Sequence, residues 1–283
     1  MFNLMTEIAA PNFLERIVIF FQKSAPRPTN YGWFHLLFVA LTIIAAVLLC
    51  VFCRDASDKI FRRILLIFWI TVLVLEIYKQ IVFSYSYNEE HDLGWWKYPW
   101  YAFPFQLCSS AIYLLPFAVF LKDGKVRDGV LSFLALFSFF GGLCVCVFPN
   151  DVFATDILGV QIQTMVHHGA QVALAIYIVA HERNKFDIRF FLKSIPVFVV
   201  MLVAAMLLNV VVHAFIEDTF NMFYISPYYA CTLPLLSTVY EKVPYFLFLI
   251  IYVFGFALCA FIMFAIQFGV MKLCRKIYAE KHE

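Results

Sequence analysis

Residues 34–53 read FHLLFVALTIIAAVLLCVFC, twenty consecutive residues without an aspartate, glutamate, lysine or arginine. A helix of about 20 apolar residues is long enough to cross the hydrocarbon core of a bilayer. The whole chain has the same character: 64% of its 283 residues are hydrophobic and its mean hydropathy is +0.85. Only 14% of the residues are charged, against roughly a quarter in soluble domains. The sequence therefore predicts an all-α, polytopic integral membrane protein.

Six further segments are long and apolar enough to be predicted as crossings. With the first, the predicted crossings are 34–53, 63–85, 105–121, 129–148, 162–181, 191–216 and 245–270. The linkers are too short to hold a second globular domain, so we expect one domain, 1–283. In it an interfacial segment, 1–33, precedes a seven-helix bundle, 34–270, and a cytoplasmic tail, 271–283. Apolar residues from Phe13 to Phe21 surround Glu15 and Arg16 in a stretch too short to span, which predicts a helix lying in the interface.

Lysine and arginine are unevenly shared among the linkers. They concentrate in the first, third and fifth linkers and in the tail: Arg54, Lys59, Arg62, Arg63; Lys122, Lys125, Arg127; Arg183, Lys185, Arg189, Lys193; and Lys272, Arg275, Lys276, Lys281. Short cytoplasmic loops collect these residues, so the N-terminus is predicted outside and the C-terminus in the cytoplasm. The membrane would be the plasma membrane in a bacterium and an endomembrane in a eukaryote.

Several classes of partner are disfavoured by the composition. A net charge of +2 without a run of like charges gives no surface for nucleic acid. The eight cysteines lie mostly in apolar segments, which does not indicate a disulfide framework. No metal and no cofactor are expected, because the paired cysteines lack polar companions and adjacent histidines on a helix point about 100° apart.

Four predicted crossings carry polar side chains in the outer half of the membrane. They are Glu76, Lys79 and Gln80; Gln106 and Cys108; Gln163, His167, His168 and Gln171; and Asn209 and His213. Ionisable groups inside a membrane usually face the bundle interior and mark a functional site. Because these groups share a depth, the sequence predicts a polar cavity open toward the outer leaflet.

The two histidines cannot point at the same spot. Gln163, His167 and Gln171 follow a spacing of four and share one helix face, whereas His168 is rotated from His167 by about 100° and shares its face with Thr164 and Gln171. We therefore expect one imidazole to act as a base and the other to support it, with the assignment open. Glu76 and Lys79, three residues apart, also allow a purely structural role, in which they neutralise each other inside the bundle.

Cys108 is the candidate nucleophile. A buried cysteine is by itself more often a packing residue. This one lies near the start of a predicted helix, where the dipole favours a thiolate, and at the depth of the histidines that can take its proton. A cysteine and histidine pair at the edge of a lipid layer can form and resolve a thioester, which is acyl transfer.

Short motifs in the third and later crossings resemble a known family. They are Pro104, Gln106, Leu107 and Cys108, then His168-Gly169 sixty residues on, and later Asn209 and Asn221-Met222-Phe223 with Pro227. These motifs resemble the YwaF family of bacterial membrane proteins and its eukaryotic relative, transmembrane protein 164, over about residues 76–252. The resemblance implies a multi-span acyltransferase that moves fatty acyl groups between phospholipids, with its cysteine nucleophile at Cys108 and its histidine partner at His168.

Two functions of different classes follow. In the first, a phospholipid acyltransferase or acyl hydrolase, His168 activates Cys108, and Gln106, His167 or Lys79 stabilises the oxyanion. In the second, a transporter or small-molecule binding protein uses the same polar pocket to hold a solute. Against the second, no half of the chain repeats the other, as it does in many secondary transporters.

Overall fold

A computed structural model describes residues 10–87, 93–94, 98–149 and 152–280. This part of the chain is almost entirely helical. Its helices are α1 (Phe13–Phe21), α2 (Trp33–Cys53), α3 (Asp58–Ser84), α4 (Ser110–Phe120), α5 (Lys125–Phe133), α6 (Phe139–Val147), α7 (Leu158–His181), α8 (Ile188–Phe215), α9 (Leu236–Lys242) and α10 (Tyr245–Glu280). Strands β1 (Ser86–Tyr87) and β2 (Leu93–Gly94) pair antiparallel, and short 3₁₀ turns cover Trp100–Ala102, Leu107–Ser109 and Met222–Tyr224. The prediction of an all-α fold is confirmed.

Every predicted crossing coincides with a long helix or a continuous helical run, but the helices differ in apolarity. Five stretches are both long and apolar enough to cross a membrane: Trp33–Cys53, Trp100–Phe120, Lys125–Val147, Ile188–Phe215 and Tyr245–Ile277. The other two predicted crossings fall on α3, which includes Glu76 and Lys79, and on α7, which includes both histidines. Their polar residues lower the hydropathy, so seven crossings and their orientation stay a prediction.

The short N-terminal helix forms where it was predicted. Asn12 and Glu15 make a capping box, with the Asn12 Oδ1 accepting from the Glu15 N–H at 3.0 Å and the Glu15 Oε2 accepting from the Asn12 N–H at 2.6 Å. These bonds satisfy backbone donors that a helix start leaves unpaired. Phe13 and Phe20 on this helix are exposed by 76% and 72%, so its apolar side is uncovered by protein.

Helix α7 lies at the centre of the bundle and packs against α2, α3 and α6. Two glycines permit the close approach. A Cβ added at Gly169 would lie 2.2 Å from Oγ1 of Thr42 on α2, and one at Gly142 on α6 would lie 2.8 Å from the carbonyl oxygen of His168. Small residues let helix backbones come together in this way. The histidines are thereby buried between neighbouring helices.

A π-helical segment, Leu134–Ser138, joins α5 to α6. Such segments loosen the regular ladder of helix hydrogen bonds and are frequent at functional sites. The Gln267 side-chain amide on α10 donates to the Ala135 carbonyl at 3.1 Å, and the Ser138 hydroxyl donates to the Gln171 Oε1 at 3.1 Å. The segment is therefore connected to α7 and α10.

An ion-pair cluster joins the helices at the end of the bundle where α3 and α5 begin. The Arg127 guanidinium, with only 3% of its side chain exposed, pairs with Asp58 at 3.0 Å and with Asp123 at 2.6 Å. Arg62 reaches the same two carboxylates at 2.5 and 2.8 Å. We call these four residues the arginine latch. It ties the start of α3 to the turn after α4 and to α5.

Candidate active site

Cys108 lies in the 3₁₀ turn Leu107–Ser109, immediately before α4, and is half-buried. Its backbone carbonyl oxygen accepts two hydrogen bonds from α7, at 3.1 Å from the His167 Nε2 and at 2.6 Å from the Gln171 Nε2. His167 and Gln171 are four residues apart, as the sequence spacing predicted for one helix face. The cysteine turn and the histidine helix, sixty residues apart, therefore meet in the structure.

The contact between them runs through the backbone of Cys108. Within the described part of the chain, no hydrogen bond joins the Cys108 Sγ to an imidazole nitrogen. The ring that contacts Cys108 belongs to His167, and the His168 ring lies with its centroid 5.2 Å from that of His167. The structure thus places His168, to which the family resemblance gave the partner role, next to the contact and not in it.

The hydrogen bonds fix the tautomer of each imidazole, because a carbonyl oxygen can only accept. His168 donates from Nδ1 to the Thr164 carbonyl at 2.7 Å, which leaves the distal Nε2 with its lone pair and without a partner among the described residues. His167 donates from Nε2 to Cys108, and its Nδ1 is buried without a partner. In its neutral form, each ring therefore keeps one basic nitrogen uncommitted.

A second polar group lies on α3. The Lys79 Nζ is 2.8 Å from the Glu76 Oε1, with 15% and 6% of the two side chains exposed. The Gln80 side-chain amide donates to the same Glu76 oxygen at 2.6 Å and to the Ala102 carbonyl at 2.9 Å, and the Tyr98 hydroxyl donates to the Gln80 Oε1 at 2.5 Å. Helix α3 packs against α4, which follows the Cys108 turn, and against α7, which carries both histidines. This group therefore flanks the candidate pair.

Gln106 and Asn209 bind the loop that follows α8. Gln106 donates to the Asn221 carbonyl at 3.0 Å and accepts from the Phe223 N–H at 2.8 Å. Asn209 donates to the Met222 carbonyl at 3.0 Å and accepts from the Met222 N–H at 2.6 Å. Phe223 has a φ of 56°, so this backbone has no regular partners and needs side-chain ones. Both amides are consumed by the loop instead of facing the thiol.

The remaining predicted residues take separate places. His213 stacks on Tyr228, with centroids 3.9 Å apart, and its Nδ1 lies 3.7 Å from the Asp218 Oδ1. His213 therefore contacts the loop that follows α8 and not the histidine pair. Gln163 is buried beside Thr164, whose hydroxyl donates to its Oε1 at 3.4 Å.

Sequence reasoning missed Ser138 and Tyr98 as members of the site. Ser138 lies in an apolar run and makes its contact from a π-helical turn that no local pattern indicates. Tyr98 lies in a linker, outside every predicted crossing. Both contacts join segments distant in sequence, so their neighbours in the chain carry no signal of them.

The structure has an open hollow away from the predicted site. An open hollow of about 480 Å³ lies between α9 and α10, where Leu235, Val239, Lys242 and Ile251 line it. None of the predicted site residues takes part in that lining. Within residues 10–87, 93–94, 98–149 and 152–280, no three histidine, cysteine, aspartate or glutamate side chains are grouped so as to hold a metal ion.

The comparison with protein families gives one match: the profile described as the TMEM164 family covers residues 29–268. The match extends beyond residues 76–252, on which the sequence resemblance rested, and includes all the candidate site residues. Comparisons with curated proteins and with solved structures gave no match.

Proposed function

This chain belongs to the TMEM164 family of membrane proteins, and we propose that it is an acyltransferase or acyl hydrolase acting on phospholipid acyl chains. One observation supports the proposal above the others: the Cys108 carbonyl is bound by His167 and Gln171 of the histidine helix. The turn that carries this half-buried thiol is thereby held beside two imidazoles, and a thiol with an imidazole base is what nucleophilic acyl transfer requires.

In the proposed reaction, the His168 Nε2 takes the proton of the Cys108 thiol. The thiolate attacks the carbonyl carbon of a phospholipid ester, so that a carbon–sulfur bond forms and the carbonyl electron pair moves onto oxygen. Collapse of this intermediate restores the carbonyl and breaks the ester carbon–oxygen bond. The leaving lysophospholipid oxygen receives the proton held by His168. An acceptor hydroxyl or water then repeats the steps in reverse and frees the thiol.

For this reaction, the Cys108 side chain has to rotate about its Cα–Cβ bond so that the thiol turns toward the imidazole. Catalytic hydrogen bonds are often absent or long in unliganded enzymes and tighten when substrate binds. The peptide of Cys108 is already fixed by two hydrogen bonds, so only the thiol has to turn.

We also propose that all seven long helical runs cross the membrane, with the N-terminus outside and the C-terminus in the cytoplasm. Helices α3 and α7 have 27 and 24 residues, which at 1.5 Å per residue gives roughly 36 Å or more. In this arrangement Cys108 and the histidines lie below the outer surface. The exposed Phe13 and Phe20 of α1 would then rest in the outer headgroup layer.

The test is the covalent intermediate itself. The purified full-length protein is incubated with a phospholipid whose acyl chain is isotopically labelled, quenched in acid and weighed intact. We expect a mass increase equal to one acyl group in place of hydrogen, mapped to Cys108. Free fatty acid as product indicates a hydrolase, and a new acylated lipid indicates a transferase.

Two variants complete the test. Cys108→Ala should lose the adduct, with turnover falling to background. Cys144→Ala, which changes another half-buried cysteine, on α6, should keep both. Full turnover by Cys108→Ala would eliminate the cysteine mechanism.

A further inference from the structure

The proposed reaction creates a negative oxygen that must be stabilised within the membrane. Removal of a single donor to such an oxyanion typically costs about 10²–10³ in kcat. Three side chains were predicted above as candidate donors for this role: Gln106, His167 and Lys79. Their hydrogen bonds differ, and this difference selects among them.

Two of the three are held in place by backbone groups. The Gln106 side-chain amide donates one of its two N–H groups to the Asn221 carbonyl, and its oxygen accepts from the Phe223 N–H, so both ends of the amide are fixed. The Nε2–H of His167 is held by the Cys108 carbonyl. Redirecting either donor would leave a backbone group of the site unpaired, which costs free energy when that group is buried.

Lys79 is different. Its ammonium has three donors, and among the described residues Glu76 is its partner, at 2.8 Å. Two hydrogen bonds from α3 reach the chain on either side of Cys108: the Trp69 Nε1 donates to the Ile112 carbonyl at 2.9 Å, and the Gln80 amide donates to the Ala102 carbonyl at 2.9 Å. Lys79, next to Gln80, therefore lies on the part of α3 that runs alongside the Cys108 turn. The partly exposed Lys79 side chain, 15% against 6% for Glu76, places the cationic member of the pair on the accessible side.

The surroundings of Glu76 keep the ammonium in place. The Gln80 amide binds the same carboxylate oxygen and also the Ala102 carbonyl, while Tyr98 holds the Gln80 oxygen. A donor that is fixed in advance stabilises developing charge without having to reorganise.

We propose that Lys79 is the oxyanion-stabilising residue of this site and that Glu76 and Gln80 are its positioning residues. This inference rests on the proposed acyl transfer. As the carbonyl electron pair of the ester moves onto oxygen, Lys79 donates a hydrogen bond to that oxygen and keeps its proton. When the intermediate collapses, the electron pair returns to the carbonyl and the hydrogen bond weakens.

The main experiment compares variants of the full-length protein by the rate of Cys108 acylation and by steady-state turnover. Glu76→Gln/Lys79→Met removes both charges, so that no buried carboxylate is left alone. We expect its kcat and acylation rate to fall about 100- to 1,000-fold with KM for the phospholipid little changed, because the interaction exists only in the transition state. Lys79→Arg keeps a cationic donor and should restore most of the loss.

A matched control removes a different lysine–carboxylate pair. The Lys193 Nζ and Asp128 Oδ2 are 2.7 Å apart, between α8 and α5. Asp128→Asn/Lys193→Met should leave the acylation rate unchanged. If Glu76→Gln/Lys79→Met does not fold, Glu76→Leu/Lys79→Met replaces it, since apolar pairs often substitute well for buried ion pairs.

The outcomes separate this inference from the function on which it rests. Wild-type acylation at Cys108 together with undiminished acylation in the charge-free variant overturns the role of Lys79 alone. The role of Lys79 is also overturned if Lys79→Arg does not restore the lost activity. It is overturned as well if Glu76→Gln, which keeps the ammonium, loses as much activity as the charge-free variant, because the ion pair would then have a structural role. Absence of any acyl adduct on the wild type overturns the proposed function first.

Discussion

At the scale of single residues, the two imidazoles are distinguished by which of their nitrogens is occupied. The Nδ1–H of His168 donates to the Thr164 carbonyl on the same helix, which leaves Nε2 free to accept a proton. The Nε2–H of His167 donates to the Cys108 carbonyl instead. A base needs an available lone pair, and a positioning residue needs its donor. We therefore assign the proton transfer to His168 and the positioning of the Cys108 peptide to His167.

Two amide substitutions test this assignment. Asparagine at position 168 keeps a donor near the Thr164 carbonyl but has no basic nitrogen, so His168→Asn should lower kcat by about 10²–10⁴ with little change in melting temperature. Glutamine at position 167 presents its N–H₂ about where Nε2 was, so His167→Gln should keep most of the turnover and His167→Ala should not. The reverse ranking, measured under single-turnover conditions, would make His167 the base.

Spacing along one helix was sufficient to predict part of this site. The repeat of four through Gln163, His167 and Gln171 indicated a common face, and two of these side chains do bind Cys108. The roles of Gln106 and Asn209 were not predictable, because their partners are backbone groups of residues 221–223. Any residue type offers the same backbone donor and acceptor, so the sequence cannot reveal such a pairing.

At the scale of the elements, the site depends on how closely α6 approaches α7. A Cβ at Gly142 would meet the His168 carbonyl at 2.8 Å and the Gln171 Cβ at 3.0 Å, while one at Gly141 would come no closer than 3.7 Å to Cys108. Adjacent glycines thus differ in whether an added methyl group has room. The helix contact, and not helix propensity, determines the expected effect of each substitution.

Gly142→Ala should force the helices apart, destabilise the protein by about 1–3 kcal/mol and lower turnover, since His168 and Gln171 shift with α7. Gly141→Ala has room and removes a flexible helical glycine, so it should be neutral or stabilising by up to about 1 kcal/mol. Thermal unfolding in detergent and acyl turnover measure both effects. Equal behaviour of the two variants would mean that the interhelical contact does not hold the site.

The arginine latch gives a second prediction at this scale. Burial acts to raise the pKa of Asp58, but the hydrogen bond from Arg62 and the charges of Arg127 and Arg62 outweigh it and hold that pKa below its usual range. A lowered carboxyl pKa stabilises the fold above the unfolded value of about 3.9, and this stabilisation is lost as pH falls through the folded value.

We therefore expect the contribution of Asp58 to the melting temperature to be constant from neutral pH to about 5 and to disappear below about 4. Asp58→Asn should melt lower than the wild type at pH 7 and approach it at pH 3. Melting curves of both proteins across this range give the difference. A difference that is independent of pH would show that the charge of Asp58 is not what holds the latch.

At the scale of the whole molecule, the hydropathy of a helix and the burial of its side chains lead to different conclusions on whether the helix can cross a membrane. Helix α7 falls short as an apolar span because of residues such as Gln163 and His167, yet each of these is only 3% exposed. Side chains enclosed by protein do not meet lipid, so their polarity does not prevent a crossing. The order of the helices was therefore readable from the sequence, whereas the apolarity of each one was a poor guide to its place in the bundle.

The number of crossings decides on which side the second, third and fourth linkers lie. With seven crossings, Lys125 faces the cytoplasm and Ala154 the outside; with only the five most apolar stretches crossing, the two exchange sides. The seven-crossing arrangement keeps the basic third linker in the cytoplasm, as short loops rich in lysine and arginine require. Both residues are exposed, so cysteines placed there can report their side.

Lys125→Cys and Ala154→Cys are to be labelled separately in intact cells with a maleimide that does not cross membranes. We expect Ala154→Cys to react at once and Lys125→Cys only after permeabilisation, because α3 and α7 each reverse the side on which the following linker lies. The exposed Cys274 lies in the cytoplasm in either arrangement and is the internal control for membrane integrity. If Lys125→Cys is labelled in sealed cells while Cys274 stays unlabelled, α3 does not cross the membrane. Glu76 and Lys79 would then not lie beneath the outer surface.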